Sequence, residues 1–256
     1  MSISPTTTRP VLETRRAQPT MEGAGVHLHR AFGFQDPTEA DPFLLFDDFR
    51  GERPSDYEAG FPWHPHRGIE TITYVLAGSV DHGDSLGNSG RLRAGDVQWM
   101  TAGSGILHQE MPHGNARGQM HGFQLWANLP SDRKMTAPRY QDMKGADIPE
   151  VIDDDGTVVK IITGEFWGKR GPVDGIAADP QYLDIFNARS PVMTFIERKG
   201  SYVTNPRWRK PVVLRSVPKG FWRTTTAMGL ATEPTTRCLM RREPPLLHRK
   251  RPCPQR

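Results

Sequence analysis

Cysteine is nearly missing from this chain, with two in 256 residues, Cys238 and Cys253. They form neither a metal-spaced pair nor a disulfide framework, which argues against a thiolate metal site and agrees with a reducing compartment. Long apolar runs are missing too. The longest, such as Phe43-Leu44-Leu45-Phe46, are strand-sized, far short of the roughly 18 residues that a membrane span needs. The first twenty residues are polar and lack the apolar centre of a secretory signal. The expected address is therefore the cytoplasm, with no membrane as partner. Helical periods are scarce. No Gly-Lys-Ser/Thr follows the glycine-rich turns, which leaves them as hairpin turns rather than phosphate loops. A chain of this length can bury one large core or two ordinary ones, so a soluble globular class is expected.

Charge is unevenly distributed. Residues 184–256 hold 16 Lys+Arg against 4 Asp+Glu, and residues 1–183 hold 17 against 25. The same segment contains nine prolines, three glycines and no aspartate after Asp184. Such a break in composition marks a boundary. The arginines are scattered among prolines rather than gathered on one face, so nucleic acid is not an expected partner.

From Gly23 to Trp126, short runs of β-branched and aromatic residues alternate with turn signals, the pattern of an all-β barrel or sandwich. Val26–Phe32 and Ile69–Leu76 alternate, Val97–Met100 and Met120–Trp126 are further strands, and Gly83–Gly90 is a turn segment. Residues 130–145 are polar and contain proline and lysine, as a linker does, and Val158–Ile162 restarts β structure.

Within this pattern two i, i+2 pairs, one His-His and one His-Glu, carry chemistry. Successive strand side chains point to opposite faces, so His64 and His66 project from one face with Cα atoms about 6.6 Å apart. The same holds for His108 and Glu110. Antiparallel pairing can bring the two segments face to face. Three imidazoles and one carboxylate suit a borderline divalent ion such as Fe(II), Mn(II), Co(II), Ni(II) or Zn(II). Four such ligands leave up to two octahedral positions for water, substrate or oxygen, whereas a tetrahedral zinc held by all four would be closed and structural. The plain alternative is four polar residues at strand ends. Other residues read more simply. His27 and His29 form a solvated strand face, and His82, His113 and His121 are structural or exposed. Trp63, Trp99, Met100 and Phe123 belong to core or pocket wall. Glu70 is a partner for a ligand's other ring nitrogen or a barrel-surface group, with a ligand role as the alternative.

The segments His64-Pro65-His66-Arg67-Gly68-Ile69-Glu70-Thr71-Ile72-Thr73-Tyr74 and Gly95 through Pro112, with Asp41–Asp47, Asp84–Gly90 and Gln124–Pro130, resemble the pirin family of the cupin superfamily. The resemblance runs from near Gly25 and continues more weakly to about Leu183. It implies an all-β cupin double-stranded β-helix, bicupin-like, with the metal in the N-terminal barrel. It assigns the iron ligands to the positions of His64, His66, His108 and Glu110 and makes Fe(II) the expected cofactor; in the mechanism expected at such a site Glu110, as ligand or loosened from the ion, takes a substrate proton. The implied activity is a quercetin 2,3-dioxygenase, with a small aromatic substrate. The same resemblance also allows a non-catalytic, metal-dependent regulator that binds a partner protein. The expected organisation is an N-terminal metal-binding cupin domain at 1–130, a linker and the start of a second cupin domain at 131–183, and a basic Pro/Arg-rich tail at 184–256. That tail departs from the family pattern, as a frame disruption or sequence error would make it, and is read as aberrant and without a fold of its own.

Overall fold

The computed structural model describes residues 11–34, 40–152, 154, 156–187, 190–198, 212–217 and 221–227. No α-helix occurs among them. The first strands in chain order are β1 (Val11–Arg16), β2 (Gln18–Glu22), β3 (Val26–Phe32), β4 (Phe43–Asp48), β5 (Phe61–His66) and β6 (Ile69–Ala77). There follow β7 (Ser79–Asp84), β8 (Ser89–Arg93), β9 (Val97–Thr101), β10 (Ile106–His113), β11 (His121–Asn128) and β12 (Arg139–Met143). The later strands are β13 (Glu150–Ile152), β14 (Val158–Thr163), β15 (Glu165–Phe166), β16 (Lys169–Arg170), β17 (Pro180–Asn187), β18 (Ser190–Arg198), β19 (Val212–Val217) and β20 (Phe221–Ala227).

Two antiparallel sheets build the barrel that matters for function. One has the order β5-β10-β7-β8, and the other β12-β9-β6-β11-β4-β3-β2. Between them lies an apolar cluster with Val26, Leu28 and Val75 from the larger sheet and Val80 and Leu92 from the smaller. The turn segment at residues 83–90 joins β7 to β8 as a hairpin. Asp84 Oδ1 shapes that turn by accepting hydrogen bonds from the backbone N–H groups of Leu86 (2.8 Å) and Asn88 (2.9 Å), the local bonding that makes aspartate a turn residue.

The central strands of the larger sheet are buried on both faces. Along β6, Val75 packs into the barrel while Ile72 and Tyr74 point the other way, as strand alternation requires. Ile72 and Tyr74 join Trp99, Phe123 and Leu125 in a second cluster that also takes Ile162 and Tyr182 from β14 and β17. Those two strands belong to a third sheet, ordered β1-β20-β19-β18-β17-β14-β13. Its polar tie to the barrel is the Tyr74 hydroxyl, which donates to Asp184 Oδ2 at 2.7 Å, both side chains being buried.

Several features sit differently from the composition-based expectations. β12 lies in the stretch that reads as linker and pairs with β9 along five residues. β17 runs across residues 183 and 184, where the charge balance changes, and β18, β19 and β20 extend its sheet. Most of the basic tail, including Cys238 and Cys253, lies outside the described residues.

Candidate metal centre

The site is built where the rim of the smaller sheet meets the cavity between the sheets. β5 is an edge strand, and β10 pairs with it so that His108 lies opposite His64. Gly68 (φ 69°) follows β5, and Gly103 (φ 52°) and Gly105 (φ 134°) precede β10. These positive φ values are left-handed backbone that glycine adopts without the strain a Cβ would bring. A Cβ at Gly103 would meet the Thr136 carbonyl oxygen. The glycines thus set the tight returns that deliver both ligand strands to one place.

There the side chains of His64, His66 and His108 converge. One ring nitrogen from each lies within 4.8 Å of the others. The Nε2 atoms of His64 and His66 are 3.1 Å apart. His64 Nδ1 lies 2.8 Å from the Pro62 carbonyl oxygen, so Nδ1 carries the proton and donates, which leaves the Nε2 lone pair free. His108 is 2 % exposed, and neither of its ring nitrogens has a hydrogen-bond partner. Two orphaned nitrogens in one buried ring cost free energy that water would otherwise offset. An ion shared by the three rings accounts for the arrangement, and three imidazoles fit a first-row transition metal. The residues present therefore fit the metal that the sequence pattern implies.

Electrostatics agree. Burial, with His108 and His64 close by, pushes the His66 ring down to about 3. Burial, with His64 and His82 beside it, brings His108 down to about 3 as well. Both rings are neutral at physiological pH, the form that ligates. A stability consequence follows. Below pH 6.5 the unfolded chain binds protons that the folded rings refuse, so folding stability falls as pH drops. His121, also lowered to about 3 by burial and then by Arg50, adds to this. Asp48, raised by burial to about 7, opposes it, and so do Asp47, Glu70 and Asp184, which burial also raises. Each neutral ring is expected to withdraw about 1 kcal/mol of stability per pH unit between about pH 6.5 and 4.5 in metal-free protein. Thermal melts of metal-free wild type beside His66→Asn isolate one ring: the wild-type midpoint should fall more steeply with pH than the variant's, and parallel curves would refute the neutral-ring assignment.

Glu110 is buried on the same wall but is not among the three converging donors. Its Oε1 accepts from the Thr73 hydroxyl at 2.7 Å and its Oε2 from Gln124 Nε2 at 2.9 Å. Glu70 projects to the opposite face of β6 from Thr73, by strand parity, and accepts from the Thr101 hydroxyl at 2.8 Å. It stands away from the imidazoles. His27 is exposed, and His113 is exposed and pairs with Asp81 at 3.1 Å. His121 lies 2.7 Å from Arg50 Nη2, while His82 is buried against Gln98 at 2.9 Å. Trp99, Met100 and Phe123 are core. Trp63, expected in core or wall, is instead 55 % exposed: His64 faces in, so its strand neighbour faces out. Thr73 and Gln124 were not legible as site residues, although their shared strand register would have paired them had the pairing of β6 with β11 been known.

In front of His64, His66 and Glu110 opens a cavity of about 410 Å³, within the usual range for small-molecule sites. Phe34, Leu45, Phe49, Phe61 and Trp126 line it with apolar surface, and Gln124 adds an amide.

A buried three-histidine cluster at the mouth of a double-stranded β-helix defines the cupin class of metal-binding barrels. Within that class, residues 25–127 match the Pirin family model and form a pirin-family domain. A pirin-like protein of Caulobacter vibrioides is 48% identical over 178 residues, covering 69% of this chain and 64% of the relative. Human pirin is 48% identical over 153 residues, 59% of this chain and 50% of its own length. The chain thus spans less than two thirds of these relatives. A crystal structure of quercetin 2,3-dioxygenase from Acinetobacter baumannii superimposes with a TM-score of 0.66 at 27% identity, covering 86% of this chain and 83% of that one. No helix among the described residues is long and apolar enough to cross a membrane.

Proposed function

We propose that this chain binds one Fe(II) through His64, His66 and His108, with Glu110 as an exchangeable fourth ligand, and acts as a dioxygenase on flavonol-like aromatic enols. The observation that carries the reading is the set of three imidazoles, one with both nitrogens unpartnered, opening onto an aromatic-lined cavity. The structural likeness to a protein described as quercetin 2,3-dioxygenase supports the substrate class.

When bound, the ion supplies Lewis acidity toward an enol oxygen and a redox centre for dioxygen. The chain's own residues do the rest. Phe34, Leu45, Phe49, Phe61 and Trp126 bury the planar faces of the substrate and exclude water. Glu110, reaching into the same cavity, takes the enol proton, acting as general base. Thr73 and Gln124 fix the carboxylate by donating to its two oxygens. His64 keeps its tautomer through the Pro62 carbonyl. The working compartment in this reading is the cytoplasm, which a chain with only two cysteines suits.

Oxygen uptake by iron-loaded full-length protein mixed with quercetin tests the proposal. Consumption of dioxygen with bleaching of the flavonol absorbance is expected, at a rate at least tenfold lower for Glu110→Gln, on the scale of general-base catalysis. An iron-loaded chain that takes up no oxygen and leaves the flavonol spectrum unchanged would rule out the catalytic reading in favour of a metal-dependent partner-binding role.

A further inference from the structure

The Glu110 carboxylate sits off the imidazole cluster, on a seat made by two side chains of the opposite sheet. Thr73 is 3 % exposed on β6, and Gln124 is its register partner on β11. Both face the barrel interior. The Thr73 hydroxyl lies 2.7 Å from Glu110 Oε1 and also 2.7 Å from Gln124 Oε1. One hydroxyl holds one proton, so it serves one of these acceptors at a time. The Gln124 amide is fixed in orientation by its neighbours. Its Nε2 donates to Glu110 Oε2 at 2.9 Å, and the flipped amide would set its oxygen against a carboxylate oxygen.

We propose that Thr73 and Gln124 are positioning residues that give Glu110 a second seat, and that the carboxylate exchanges between this seat and the metal. Occupied, the seat satisfies both carboxylate oxygens with donors. Vacated, it closes on itself: the Thr73 proton turns to Gln124 Oε1, and the Gln124 amide N–H faces the cavity, where water or a substrate oxygen accepts it. While the seat is occupied, Gln124 Oε1, on a part-buried side chain at the cavity, turns to water. On departure Thr73 exchanges a bond to a charged oxygen for one to a neutral oxygen, so leaving strands no donor and costs about one hydrogen bond to a charged group. The seat therefore competes with the ion for the carboxylate and weakens metal binding. In return it frees a coordination position and holds Glu110 where it can accept a proton. This inference rests on the metal-centre reading but not on the dioxygenase activity.

The test is Co(II) affinity of the full chain, measured by competition with a chelator and by the visible absorption of bound cobalt, which reports coordination number. Thr73→Val keeps the shape and removes the donor. It is expected to bind cobalt about tenfold more tightly, the scale of one hydrogen bond to a charged group, with a spectrum shifted toward the higher coordination number. Thr73→Ser, which retains the hydroxyl, should stay within about twofold of wild type on the same scale. Added to Glu110→Gln, Thr73→Val should change nothing further. Thr73→Val binding cobalt as wild type does, or more weakly, would overturn the seat while leaving the metal centre standing. Should that variant fail to fold, Gln124→Leu carries the same expectation and decides the matter. A wild-type chain that binds no cobalt would remove both readings.

Discussion

Purified His108→Ala protein is expected to carry less than about a tenth of the metal found in the wild-type chain. His108 is the most deeply buried of the three rings and the only one delivered by β10. Its loss leaves two imidazoles on a single strand, His64 and His66, and two ligands hold a divalent ion far more weakly than three. Disturbing even a residue behind a ligand costs roughly 10- to 100-fold in metal affinity, so deleting a ligand should exceed that. Elemental analysis of the two proteins side by side reads the result, with His113→Ala as the control because His113 is exposed and paired with Asp81. The metal-free variant should unfold within about 1 kcal/mol of the metal-free wild type. Removing two unpartnered nitrogens relieves a penalty of similar size to the packing that is lost. Stoichiometric metal in His108→Ala would mean that the three rings do not share an ion.

The second large effect concerns folding. Trp99 has no exposed surface and packs in the cluster that joins the barrel's larger sheet to β14 and β17. Trp99→Ala is expected to cost about 3 to 5 kcal/mol, since the hole left in a packed core collapses only in part. Denaturant titration should show the midpoint fall, and the thermal midpoint should drop by roughly 10 °C in a domain of this size. Trp63→Ala provides the contrast. Its side chain is exposed on the outer face of β5, and its replacement should stay within about 0.5 kcal/mol of wild type. Equal losses from the two tryptophans would contradict the division into inward and outward faces.

That pair of tryptophans also shows how far the sequence could be read. The i, i+2 spacing told that His64 and His66 share a face of one strand, and His108 and Glu110 a face of another, because a strand side chain's direction is fixed by parity alone; which strands meet it did not tell. The same parity puts Trp63 on the opposite side of its strand, yet an aromatic residue beside a metal ligand reads as pocket wall until the outer face is seen to be open. Thr73 posed the reverse difficulty. Ile69–Ala77 alternates clearly, but β6 is buried on both sides, so hydrophobicity alone does not say which of its faces looks into the barrel. Gln124 became a site residue only through the pairing of β11 with β6. The union of β1 with β20, across two hundred residues of chain, has no local signal at all. Chain closure over such a distance is decided by the whole fold rather than by any segment.

One feature of the ligand strand reaches beyond the metal. β5 borders its sheet, and its sequence, Phe61-Pro62-Trp63-His64-Pro65-His66, places a proline before each ligand-bearing stretch. Proline has no amide hydrogen, so this rim offers an incomplete ladder to any extended peptide that approaches it. A sheet margin with open backbone and an exposed tryptophan would otherwise invite edge-to-edge stacking between copies. The two prolines that interrupt the backbone here deny a neighbouring chain the bonds it would need to zip over the ligand strand.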